Sequence, residues 1–129
     1  VSTKFVLSLA VLPWWLLAVG CSSLDPVDPG PTTVTLTADR TTATAGQDIE
    51  FSFSATGSSI TALHLDYGDG ESEDVGGFGA LTMSGRRTHA YLDPGSYTVT
   101  ATLEDAITGN VTDDMTVQIT ASSSALETP

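Results

Sequence analysis

Between residues 33 and 121 apolar and polar side chains alternate with a period of two, the spacing of strands that bury one face. In 47–55 (QDIEFSFSA) Ile49, Phe51, Phe53 and Ala55 fall on one side, with Glu50, Ser52 and Ser54 on the other. In 60–67 (ITALHLDY) Leu63, Leu65 and Tyr67 share a face opposite Ala62, His64 and Asp66. The run 96–104 sets Tyr97, Val99, Ala101 and Leu103 against Thr98, Thr100 and Thr102, and 111–120 sets Met115, Val117 and Ile119 against Thr116, Gln118 and Thr120. A shorter run at 33–38 groups Val34, Leu36 and Ala38. Threonine fills the polar positions because a β-branched polar residue suits the solvent face of a half-buried strand. Turn signals separate the runs at Ala45-Gly46, Gly57-Ser58, Gly68-Asp69-Gly70, Pro94-Gly95 and Gly109-Asn110. Short strands at this spacing predict an all-β domain, a β-sandwich, over 33–121.

The start of the chain obeys another pattern. After Lys4, the sixteen residues Phe5 to Gly20 are apolar except for Ser8. They fall short of the roughly 20 that a membrane-spanning helix needs, and Pro13 interrupts them. Residues 1–20 therefore read as a secretory signal peptide. It closes in LAVGC at 17–21, where small residues lead into Cys21, the sole cysteine. This segment resembles the lipobox of bacterial lipoproteins, with Ala18 where leucine is usual. The resemblance implies cleavage before Cys21, lipidation of its sulfur and a lipid anchor in the bacterial cell envelope. Ser22 is similar to residues that permit transfer to the outer membrane in Gram-negative cells. The alternatives are ordinary signal cleavage with a free thiol, or an uncleaved anchor. Residues 22–32 carry Pro26, Pro29 and Pro31 and read as a semi-extended tether; 122–129 read as a flexible tail.

Charge narrows the partners. The formal net charge is −12, and beyond residue 21 three arginines face sixteen carboxylates, a formal −13. Such a surface repels phosphate backbones and argues against nucleic-acid binding. It suits a solvated coat, divalent cations, or basic partners. With Cys21 alone, no internal disulfide forms.

Two motifs carry a resemblance. LDYGDGESE at 65–73 and THAYLDPGSYTVTATLED at 88–105 together look like a PKD (polycystic kidney disease) domain, an immunoglobulin-like module. Leu65, Asp66, Tyr67, Gly68, Asp69 and Gly70 match a Trp-Asp-Phe-Gly-Asp-Gly signature, with leucine replacing tryptophan. His89, Tyr91, Pro94, Gly95 and Tyr97 match the second pattern, and the glycine-rich insert at 76–79 departs from the family. The glycines permit a sharp reversal after Tyr67, and Asp66 and Asp69 suit bonds to turn amides. Asp93-x-Gly95-x-Tyr97 resembles the corner in which a tyrosine hydroxyl bonds back to upstream backbone.

Candidate chemistry is sparse. Asp66, Asp69, Glu71, Glu73 and Asp74 form the densest acidic group, readable as a solvated face or as oxygen ligands for calcium. His89 reads as a core-edge residue beside Tyr91, and His64 as an exposed strand residue. Phe78, in Gly76-Gly77-Phe78-Gly79, reads as part of a mobile connection or as a ligand anchor. Asn110-Val111-Thr112 matches a glycosylation sequon but reads as a turn entering a strand. Two histidines and no thiol in the domain leave no nucleophile set beside a base, so no enzyme is expected. The expectation is a membrane-anchored binding or spacer module that contacts an envelope or extracellular protein or a glycan. The alternatives are a carbohydrate-binding accessory domain or a calcium-stabilised envelope subunit. Sugar platforms favour exposed aromatics, and both tryptophans, Trp14 and Trp15, fall in the signal.

Overall fold

A computed structural model describes residues 30–123; the signal, Cys21, most of the tether and the last six residues lie outside this range. Six strands follow one another, and no helix occurs among the described residues: β1 (Thr33–Ala38), β2 (Thr42–Thr44), β3 (Asp48–Asp66), β4 (Ser72–Ala90), β5 (Gly95–Asp105) and β6 (Gly109–Thr120). The fold is an all-β, immunoglobulin-like sandwich.

β3 and β4 form a single long antiparallel hairpin that folds over on itself. Strand β3 pairs with β1 through Thr33↔Thr56 to Ala38↔Phe51, but beyond the irregularity at Thr56–Ala62 its other half pairs with β5. The rings of Phe51 and Tyr67 lie 5.7 Å apart, although both belong to β3. Straight strand between them would span about 50 Å. The fold-over therefore puts the first half of β3 and the second half of β4 in one layer with β1. The remaining halves join β5, β6 and β2 in the other layer. Glycine permits the crossing: a Cβ on Gly77 would lie 2.4 Å from the backbone oxygen of Ile60, and one on Gly57 2.4 Å from a carboxylate oxygen of Asp105.

The alternation seen in the sequence becomes the core. Ile49, Phe51, Phe53 and Ala55 face Leu63, Leu65, Tyr67, Val99, Ala101, Leu103, Val117 and Ile119 in one buried cluster. Side-chain bonds close both flanks. On one, Glu73 and Arg87, from opposite halves of β4, form an ion pair at 2.8 Å. On the other, a carboxylate oxygen of Asp113 in β6 accepts the Leu36 amide of β1 at 2.8 Å.

Two expectations are corrected. Gly57-Ser58 does not separate two strands; it is a kink inside β3. Residues 76–79 are not a free connection but a part of β4, which crosses between layers there. The physical reason is shared: at the corner the β3–β4 ladder breaks after Thr56↔Thr82 and resumes at Ile60↔Ala80 and Ala62↔Gly76 with its register shifted by a bulge.

Candidate functional site

The turn after β3 is built as its residues suggest. Gly68 and Gly70 take positive φ values of 81° and 100°. A carboxylate oxygen of Asp66 accepts the Gly68 amide at 2.8 Å, and Asp69 Oδ1 accepts the Glu71 amide at 3.0 Å. The second Asp69 oxygen accepts from Nε2 of His89 at 2.7 Å. Burial pushes the Asp69 carboxyl up, but the His89 bond and the Glu71 amide outweigh it and hold the group below its ordinary range.

His89 belongs to an aromatic column. It stacks on Tyr67 with ring centres 4.0 Å apart and meets Tyr91 edge-on at 4.7 Å; Tyr91 in turn stacks on Tyr97 at 4.3 Å. The buried Tyr91 hydroxyl donates to the Tyr67 carbonyl at 2.9 Å. The Tyr97 hydroxyl donates to the Asp93 carbonyl at 2.9 Å, which pins the corner holding Pro94 and Gly95. Burial, with Glu73 nearby, pushes the Tyr67 phenol up to about 12, and burial raises Tyr91 further. Leu65 is fully buried in the core.

At this end of the sandwich lies a cleft of about 350 Å³, lined by Asp69, Glu71, His89, Leu92, Asp93 and Tyr97 among others. Leu92 stands 81% exposed at its rim. The cleft combines carboxylate acceptors, one apolar contact and an aromatic edge. Its lining contains no thiol, amine or aliphatic hydroxyl to act as a nucleophile beside the His89–Asp69 pair.

The five carboxylates expected as calcium ligands do not converge, and no three His, Cys, Asp or Glu side chains among the described residues are grouped to hold a metal ion. Asp66 and Asp69 bond turn amides, and Glu73 pairs with Arg87 and accepts from the Tyr67 hydroxyl. Asp74 turns to Nδ1 of His64, its cross-strand partner, at 2.6 Å. Strand alternation sends Glu73 and Asp74 to opposite faces.

Phe78 is 97% exposed and lies at the other end of the sandwich, away from the cleft. Asp105 was not singled out by the sequence. It is buried, and its two carboxylate oxygens accept the amides of Ser58, Ser59, Ile107 and Thr108 at 2.7, 2.8, 2.9 and 3.0 Å. Burial pushes its carboxyl up, but the four amides prevail and hold it far below the usual range. Asp-x-x-Thr after a strand hints at the two local bonds; those to Ser58 and Ser59 span more than a third of the chain and leave no local trace.

Comparison with known proteins agrees with this architecture. The PKD domain family model matches residues 33–122. No curated protein matches the chain. Among solved structures, the chain is similar to the PKD domain of an M14-like peptidase from Thermoplasmatales archaeon SCGC AB-540-F20, with TM-score 0.60, 22% identity, and coverage of 70% of this chain and 96% of that one. It is also similar to the PKD1 domain of Vibrio anguillarum Epp, with TM-score 0.52, 16% identity, and coverage of 72% and 98%. A structure of promiscuous carbohydrate-binding modules from the β-sandwich superfamily aligns with TM-score 0.53 and 17% identity, over 73% of this chain and 36% of that one. At these identities the likeness is one of fold. PKD domains are immunoglobulin-like modules and are typically non-catalytic. With its motifs, its sandwich and the family match over residues 33–122 in agreement, the chain belongs to the PKD domain family.

Proposed function

We propose that this chain is a non-enzymatic display module of the bacterial cell envelope, in the outer membrane where the cell is Gram-negative. Cys21 carries the lipid, residues 21–32 tether the domain, and the sandwich offers the cleft at its far end to an envelope or extracellular protein or a glycan. The supporting observation is the opposition of the two ends. The chain enters the sandwich at Thr33, where the side chains of Thr32 and Thr108 hydrogen-bond. The cleft lies past Tyr67 and Tyr91, at the opposite end of β5, whose eleven residues reach about 35 Å. A tether at one pole and a recess at the other is the layout of a presented contact surface.

A glycan partner is favoured by the Tyr97 ring edge beside Glu71 and Asp93, a pairing of aromatic surface and acceptors that suits sugar hydroxyls. A basic protein segment is favoured by the net acidity of the domain. A glycan array separates the two: retention that is lost in Tyr97→Ala selects the glycan, and an empty array leaves the protein.

The anchor is tested first. Intact mass and membrane fractionation of the native chain, beside Cys21→Ala, should give an acylated chain beginning at Cys21 and loss of membrane association in the variant. A soluble, unmodified chain cut near residue 20 would refute the anchored reading.

A further inference from the structure

Four large apolar side chains stand well exposed among the described residues, and three of them gather at the end where the tether enters. Phe78 is 97% exposed, Ile107 67% and Leu81 64%; the fourth, Leu92, is at the cleft. Strand pairing establishes the grouping. Ile60 pairs with Ala80 of β4 and with Asp105 of β5, the Ala106 amide donates to the Ser59 carbonyl at 3.0 Å, and Thr108 bonds Thr32. The β4 crossover carrying Phe78 and Leu81, the turn carrying Ile107 and the point of chain entry therefore form one tip.

The three segments of this tip carry no charged side chain of their own, and the exposed Glu104, ladder partner of Asn110, flanks them. Residues 56–60, 76–82 and 106–110 contain no Asp, Glu, Lys or Arg, and the adjoining Asp105 is buried on four amides. The rest of the domain carries its carboxylates elsewhere, densely so around the opposite turn at 66–74. Phe78 has a φ of 51°, a left-handed conformation that a bulky residue adopts only under constraint, and its exposed ring lies over Gly76, where a Cβ would come within 2.9 Å of it.

We infer that this tip, Phe78 with Leu81 and Ile107, is a membrane-contact surface that seats the sandwich on the bilayer holding its own anchor. The inference rests on the proposed lipidation of Cys21. An acidic domain is repelled by anionic headgroups, so the end with the sparsest charge is the one able to approach them. Aromatic and leucine side chains are the groups that partition into the interfacial zone. The eleven residues from 22 to 32 reach at most about 40 Å, which lets the tip touch the lipid while the cleft is turned outward.

The test uses the mature chain from Cys21, which lacks tryptophan because both tryptophans precede it. Phe78→Trp and, as the far-end control, Leu92→Trp are each coupled through Cys21 to maleimide-bearing phosphatidylcholine vesicles, with and without brominated acyl chains. The expected result is a blue-shifted emission of about 10 nm and strong bromine quenching for Phe78→Trp, with neither for Leu92→Trp. No shift and no quenching at position 78, or equal responses at both positions, would overturn the tip. A blue shift that grows with protein concentration without vesicles would assign the tip to a second copy and likewise overturn it. Coupling imposes the anchor, so this readout is independent of native acylation. An unacylated native chain would bring down the anchor and the physiological seat with it, whereas an acylated chain with a silent position 78 would bring down the tip alone.

Discussion

A carboxylate with four amide donors cannot be replaced by an isostere that offers one carbonyl. In Asp105→Asn the amide nitrogen must face a donor, so at least one of Ser58, Ser59, Ile107 and Thr108 loses its acceptor. The expected result is a fall in Tm on the order of 10 °C, measured by calorimetry at neutral pH. The pH dependence has a definite sign. The native carboxyl is held below the unfolded value of about 3.9, so its contribution is complete above that value and is lost as the pH falls through and below it. Asp105→Asn should therefore flatten the acid limb of the Tm profile below about pH 4. The tyrosines act at the other extreme. Their phenols are raised, Tyr67 to about 12, so the unfolded chain ionises first and stability declines as the pH climbs past about 10. Tyr91→Phe removes the donor to the buried Tyr67 carbonyl and should destabilise by about 1–3 kcal/mol while softening that alkaline limb, as urea titrations at pH 7 and 11 would read. At this scale the turn residues were legible, because Gly68, Asp69 and Gly70 act on neighbours two residues away. Asp105 was not, because half of its partners are distant in sequence.

The strands divide in the same way. Ile49, Phe51, Phe53, Leu63, Leu65, Val99, Ala101 and Leu103 announce their faces by alternation, and all are buried. Strand β4 was missed, since its face toward the core carries Gly85, Arg87 and His89 instead of an apolar series. Gly85 is there to admit the Phe53 ring: a Cβ would lie 2.6 Å from it. Arg87 covers that ring from 5.9 Å, a cation serving as the lid of an open flank. Strand β2 is three residues in parallel pairing with β6, too short for periodicity to register. The fold-over was hidden too, because Gly57-Ser58 and Gly76–Gly79 carry the composition of loops. Its tight point is Gly77. Gly77→Ala should force the Ile60 backbone aside and cost about 1–3 kcal/mol, checked by chemical denaturation; unchanged stability would show that the corner yields freely.

Taken whole, the domain is a poorly balanced charge distribution on a β scaffold. Beyond residue 21 the formal charge is −13, and among the described residues the Glu73–Arg87 ion pair and the His89–Asp69 hydrogen bond join separate halves of the fold at under 3 Å. Raising sodium chloride from about 0.05 to 0.5 M shortens the screening length roughly threefold and should raise Tm by a few degrees. A fall would show that the ion pairs outweigh the general repulsion. The sandwich also has an order of completion. Leu36, near the start, keeps its amide for Asp113, and Ala43 takes Ile119 as its ladder partner. A chain emerging N-terminus first, from a ribosome or through a translocation pore, cannot close the Leu36–Asp113 flank or pair β2 until almost the whole domain has emerged. The last strand is the latch, so the polypeptide stays threadable until its journey is nearly over.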